Sequence, residues 1–228
     1  MNISGIVKSS LIDFPGLISC VLFVPGCNFD CFYCHNRSLI DGSHIILTPQ
    51  YVINFLKRRA GLLDGVVISG GEPTLQSDLI PFIEALKDLG YRIKLDTNGS
   101  RPKTVGKLLD GKLCDYFAVD YKAPVARYSE FCGEGSDPGQ VIETIRLLSE
   151  NDVPFEVRTT VVPQLGHEDL VMMAREIPKV PRYVLNRYKM PEKYLQKDAE
   201  RIRERPYSQE EIQSLATGIA ALQPNITF

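Results

Sequence analysis

The 228-residue chain has no large excess of charge of either sign: 26 Lys and Arg stand against 28 Asp and Glu, a net charge of −2. That balance excludes a nucleic-acid binder whose affinity rests on a basic surface, and equally a strongly acidic or polybasic tail. No apolar run approaches the ~20 residues that a membrane helix requires. The longest, Ile18 to Val24, is strand-sized, so no membrane partner is expected. The first residues, MNISGIVKSSLIDFPG, lack the basic start and long apolar stretch of a secretory signal, which makes the cytoplasm the expected setting. Linkers, internal repeats and low-complexity stretches are also missing. One domain is expected over residues 1–228, with a core from about 15 to 190 and a helical extension from about 191 to 228. Cysteine is scarce as well. Six residues are too few for a disulfide scaffold, yet three of them fall between positions 27 and 34.

What is present is an alternation of short β-like runs and longer amphipathic ones. Cys20–Val24, Gly65–Ser69, Tyr91–Asp96, Tyr116–Asp120, Phe155–Val162 and Arg182–Arg187 read as six strands. Between them lie helical patterns with clear starts: Thr48-Pro49, Asp137-Pro138, and Ser208 with Glu211 as a capping box. Strands alternating with helices imply right-handed crossovers and a parallel sheet. Six units are too few for a full eight-unit barrel of about 250 residues. An incomplete barrel or an open doubly wound sheet fits instead.

Chemistry concentrates at the strand ends. Cys27, Cys31 and Cys34 follow the first strand in GCNFDCFYCHN. Thiolates are soft ligands that suit zinc or iron–sulfur clusters. Structural zinc usually takes four protein ligands, and no second cysteine pair completes such a set. A redox pair of Cys31 and Cys34 would leave Cys27 unexplained. Three thiolates match a [4Fe–4S] cubane with one iron open to substrate. Gly70-Gly71-Glu72 closes the second strand, where the alternative is a plain turn. Asp96-Thr97 closes the third, and Asp120-Tyr121-Lys122 follows the fourth. Arg158 lies inside the apolar fifth strand and needs a partner there, either a ligand or an internal Asp or Glu. Cys20, Cys114 and Cys132 read as structural. The run Lys179–Arg205 carries nine Lys and Arg against four Asp and Glu. It reads as a solvated face or as help in docking a protein partner.

The spacing Cys-x3-Cys-x2-Cys with Tyr33 before the last cysteine resembles the signature of radical S-adenosylmethionine (SAM) enzymes. The strand-end motifs resemble those of glycyl-radical activating enzymes, as does the Asp-x-Pro-Gly segment ahead of the first strand. The flanking words are most similar to the activating proteins of anaerobic ribonucleoside-triphosphate reductase. This resemblance implies an incomplete (β/α)6 barrel. It implies three irons on Cys27, Cys31 and Cys34, and SAM held by Tyr33, Gly70, Gly71, Glu72, Asp96, Thr97, Asp120, Lys122 and Arg158. A monovalent cation near Asp96 accompanies SAM in some members. The implied reaction is reductive cleavage of SAM to methionine and a 5′-deoxyadenosyl radical, which abstracts a glycine hydrogen from a partner glycyl-radical enzyme. Flavodoxin or ferredoxin would supply the electron. Asn186 and Arg187 stand where some activases carry a His, a departure from the pattern. A radical SAM enzyme acting on a small molecule, and a zinc or thiol-redox module, are the alternatives.

Overall fold

The computed structural model describes residues 1–228. The strands follow chain order in the sheet, β1-β2-β3-β4-β5-β6-β7-β8. The chain divides into two compact units, and β5 (Tyr116–Asp120) runs from the first into the second.

The first unit comprises residues 1–28, 38–97 and 103–118. Its strands are β1 (Gly5–Ser10), β2 (Ser19–Val24), β3 (Gly65–Gly70) and β4 (Arg92–Thr97). β2 pairs β3 in parallel, and β3 pairs β4 in parallel. Five of the six residues of β2 are buried, so the strand is covered on both faces and reads as continuous apolar sequence rather than as an alternation. Three helices of this unit are α2 (Pro49–Arg59), α3 (Leu79–Asp88) and α4 (Pro102–Asp110), the first beginning at the expected Thr48-Pro49 start. The Thr48 hydroxyl accepts the Tyr51 N–H at 3.3 Å and caps α2, while Pro49 fills a first-turn position that needs no N–H. A short turn of helix, α1 (Arg37–Ile40), precedes them.

The second unit comprises residues 29–37, 98–102 and 119–228. It holds β6 (Phe155–Val161), β7 (Tyr183–Arg187) and β8 (Ile226–Thr227), with β6–β7 and β7–β8 both parallel. Its helices are α5 (Tyr128–Cys132), α6 (Pro138–Ser149), α7 (His167–Glu176), α8 (Ala199–Ile202) and α9 (Gln209–Ile219). The capping box of α9 forms in both directions: Glu211 N–H donates to Ser208 Oγ at 3.2 Å, and Ser208 N–H donates to Glu211 Oε2 at 2.6 Å.

Six strands, all parallel, is the expectation that the structure corrects. β1 is a seventh strand, antiparallel to β2 and broken by a register shift between Val7 and Ser10. Its sequence GIVKSS has three exposed residues and no buried one, so hydrophobic periodicity is silent there. β8 is an eighth, only two residues long, inside the expected helical extension. The class remains α/β with a mostly parallel sheet. Strands in chain order are what successive β–α units of an incomplete barrel require. No helix is long and apolar enough to cross a membrane.

Candidate functional site

In the first unit the site is built on the seam between the ends of β2 and β3. Gly71 N–H donates to the Val24 carbonyl and Glu72 N–H to the Gly26 carbonyl, each at 2.8 Å. Gln76 Nε2 adds a bond to the Pro25 carbonyl at 3.0 Å. The chain just ahead of Cys27 is thus stitched to the Gly-Gly-Glu turn. The glycines are needed for this approach: a Cβ on Gly71 would overlap the Gly26 carbonyl oxygen, and Gly70 has φ +115°.

Glu72 is fully buried. Its Oε1 accepts the Thr74 N–H at 3.0 Å, the Thr74 hydroxyl at 2.5 Å and the Thr97 hydroxyl at 2.7 Å. Two of the expected residues, Glu72 and Thr97, are therefore directly bonded. Asp96 Oδ1 takes the Lys94 ammonium at 2.6 Å, and Lys94 is only 2% exposed. Two residues apart on one strand, these side chains share a face. Lys94 was not visible as a site residue in the sequence; the only signal was a lysine inside an otherwise apolar strand.

In the second unit the loop carrying Cys31 and Cys34 is pinned to α5. Asp30 N–H donates to the Cys132 carbonyl at 2.8 Å and Phe32 N–H to the Phe131 carbonyl at 3.3 Å. Arg37, 6% exposed, donates to the Cys31 carbonyl at 2.9 Å and pairs with Asp30. The Cys132 thiol hydrogen-bonds Cys31 and, with the charges of Lys122 and Arg37, pulls the Cys31 thiol down against the effect of burial. The structure thus moves Cys132 from a structural cysteine to a neighbour of the cysteine loop. Burial and the nearby Cys31 push Cys34 up. Burial likewise takes the Cys20 thiol up to about 12, as for a core residue.

At the end of β5, Asp120 Oδ1 accepts Arg158 Nε at 3.0 Å, and its Oδ2 accepts Lys122 Nζ at 3.2 Å. Tyr121 N–H donates to the Arg158 carbonyl at 2.9 Å, which fixes the register that makes the pair. Burial works against the Asp120 charge, but Lys122 and Arg158 outweigh it and lower the carboxyl to about 2. The same carboxylate overcomes the burial of Lys122 and raises it well above its usual value. Of the two partners open to Arg158, the internal acid is the one observed.

Two phenols of this unit are left over. The hydroxyls of Tyr33 and Tyr128 are buried without a hydrogen-bond partner. Both feel the charges of Lys122, Cys31 and Cys132, and burial drives both well above their ordinary range. An orphaned buried hydroxyl is uncommon and calls for a missing polar partner. Tyr128 was not singled out in the sequence, because a lone aromatic before a short helix carries no signal.

Cys27 belongs to the first unit and Cys31 and Cys34 to the second, and all three are free of disulfides. No three His, Cys, Asp or Glu side chains stand arranged to hold a metal ion. The donor chemistry nonetheless fits an iron–sulfur cluster: three soft thiols within eight residues of chain, with two orphaned hydroxyls near one of them, Cys31. Asn186 and Arg187 end β7 exposed, and Arg187 Nε donates to the Tyr207 carbonyl at 3.0 Å.

The Radical SAM superfamily profile matches residues 21–177. A Methanocaldococcus jannaschii protein, provisionally named a glycyl-radical enzyme activating enzyme, is 35% identical over 198 residues, 84% of this chain and 82% of its own. A Saccharolobus islandicus protein named as a GTP 3′,8-cyclase is 39% identical over 75 residues, 32% of this chain and 24% of its own. Among solved structures, Streptococcus suis SuiB bound to its precursor peptide SuiA superposes with a TM-score of 0.65 at 18% identity, over 90% of this chain. The chain spans about half of SuiB, 47%.

Proposed function

Because the chain belongs to the radical SAM superfamily, we propose that it is a glycyl-radical enzyme activating enzyme. Its partner on this reading is anaerobic ribonucleoside-triphosphate reductase. The observation that carries the reading is the match to the M. jannaschii protein, which runs over 84% of one chain and 82% of the other. The likeness to GTP 3′,8-cyclase spans a third of the chain and leaves small-molecule chemistry as a second reading.

The family's cofactors are an iron–sulfur cluster and SAM. Cys27, Cys31 and Cys34 would ligate the cluster, and flavodoxin or ferredoxin would reduce it. When bound, the pair supplies one-electron cleavage of SAM to methionine and a 5′-deoxyadenosyl radical that takes a hydrogen from a glycine of the partner. The chain's own side chains orient and exclude water. Glu72 offers a buried carboxylate for the methionyl ammonium, and Gly70 and Gly71 let the backbone approach. Asp96 and Thr97 extend that acidic wall. A monovalent cation beside Asp96 belongs to the same reading, where it would share the carboxylate with Lys94. Lys122 and Arg158 offer donors to the SAM carboxylate and ribose, with Asp120 holding both in place. Tyr33 offers its unpaired hydroxyl. The whole is read as one domain acting in the cytoplasm.

The test is anaerobic. The protein is reconstituted with iron and sulfide, reduced, and mixed with SAM and the host's reductase. The expected result is a glycyl doublet in the electron paramagnetic resonance spectrum that is absent with Cys31→Ala. Cys31-dependent release of 5′-deoxyadenosine with no doublet would move the substrate to another molecule. No release at all would end the radical SAM reading.

A further inference from the structure

The segment that follows β7 lies against the cysteine loop of its own unit. The Tyr188 ring sits 6.5 Å from the His35 ring, and His35 hydrogen-bonds the Lys189 backbone. Lys197 Nζ stands 4.0 Å from Asp30. The Arg201 guanidinium lies 3.8 Å over the Phe32 ring, a cation–π contact, and reaches the Glu130 carbonyl at 3.4 Å. Tyr188 Oη donates to the Ile202 carbonyl at 3.0 Å and ties the two ends of the segment together. Asp30, Phe32 and His35, which flank Cys31 and Cys34, are therefore each in contact with this segment.

The segment is also where positive charge collects. Residues 187–205 hold seven cations against four anions in a chain that otherwise has more acids than bases. Lys189, Lys193 and Lys197 are all exposed, Lys197 by 70%. Lys197 has one distant acidic neighbour, while Arg205 is occupied by Glu211 at 2.6 Å.

We infer that residues 187–205, through Lys189, Lys193 and Lys197, form the docking face for an acidic one-electron carrier protein. The inference rests on the activase reading and names the partner that serves its cysteine loop. A carrier must approach the group that it reduces, and this basic segment is packed on the loop that would hold that group. A local positive face steers an acidic partner and orients it, although the net charge of the chain would repel it. The electron count closes: the carrier leaves oxidised by one equivalent, and the iron–sulfur group gains one electron.

The experiment compares the parent with the triple variant Lys189→Glu/Lys193→Glu/Lys197→Glu and with the corresponding triple Lys→Arg variant. Oxidised flavodoxin, and separately oxidised ferredoxin, are titrated calorimetrically into the full chain at low and high salt. SAM cleavage is then followed with the reduced carrier and with dithionite. The charge-reversed protein should bind the carrier roughly tenfold more weakly and lose most of the salt dependence. Its dithionite-driven cleavage should match the parent's, and the Arg variant should behave as the parent. Unchanged carrier affinity would overturn the inference. So would intact carrier-driven cleavage with loss of the glycyl radical, which would assign this face to the protein substrate. Failure of the parent to cleave SAM with dithionite would sink the activase reading alone, since the titration still judges the docking face.

Discussion

The two units offer opposite kinds of polar site. Around Glu72 in the first, the hydrogen bonds run among the strand-end motifs and their chain neighbours: one carboxylate oxygen takes three donors, and Asp96 takes a buried ammonium. In the second, the single carboxylate of Asp120 is shared between the cations of Lys122 and Arg158, and two buried hydroxyls are left unpaired beside them. The difference teaches that strand-end motifs of one reading need not be equally prepared. One set is preorganised by internal bonds, and the other keeps unspent hydrogen-bonding capacity that a ligand can use.

The largest effect should come from the ion pairs. Lys94→Met takes the buried ammonium away from a carboxylate that is 13% exposed, and breaking such a buried pair should cost about 3 kcal/mol. Lys122→Met leaves Asp120 with Arg158 in a more open setting and should cost about 1 kcal/mol or less. Urea unfolding of both variants measures the contrast; equal losses would erase it.

Next is Glu72→Gln. Its amide oxygen can still accept from Thr74 and Thr97, so folding should hold to within about 1 kcal/mol. Losing the charge should weaken SAM binding by roughly tenfold or more in a calorimetric titration. Parental affinity would remove Glu72 from the SAM site.

The Asp120 cluster should show in acid. A carboxyl lowered from 3.8 to about 2 contributes stability that is complete above about pH 4 and is lost as the pH falls through about 2. Asp120→Asn should flatten that part of the stability profile, read by circular dichroism between those values. A profile that still parallels the parent's would mean that the triad contributes nothing to folding.

The smallest effect is the most telling. Tyr33→Phe removes a buried hydroxyl that has no partner, so the ligand-free chain should gain up to about 1 kcal/mol. The melting temperature should rise by about 2–4 °C. The stabilisation added by SAM should shrink at the same time. A lower melting temperature would show that the hydroxyl is satisfied in solution.

Much of this was legible in the chain. The six interior strands fall within two residues of their expected limits, because runs such as CVLFV and GVVIS bury both faces. Helix starts were legible because caps are local chemistry: Thr48, Asp137 and Ser208 bond to N–H groups two or three residues on. β1 was not legible, since a half-exposed edge strand needs no apolar pattern. Nor was Cys132, whose approach to Cys31 depends on two backbone bonds spanning about a hundred residues.

The sequence by itself determined the fold class, the cysteine spacing and the residue types at the strand ends, because periodicity and motif spacing are written within a few turns of chain. Only the tertiary structure decided who pairs with whom. Lys94 holds Asp96, Arg158 chooses Asp120, Thr97 reaches Glu72, and Tyr33 is left without a partner. Most of those outcomes depend on strand register and loop packing between distant segments. A polar side chain gains its energy only from the neighbour that folding brings within about 3 Å.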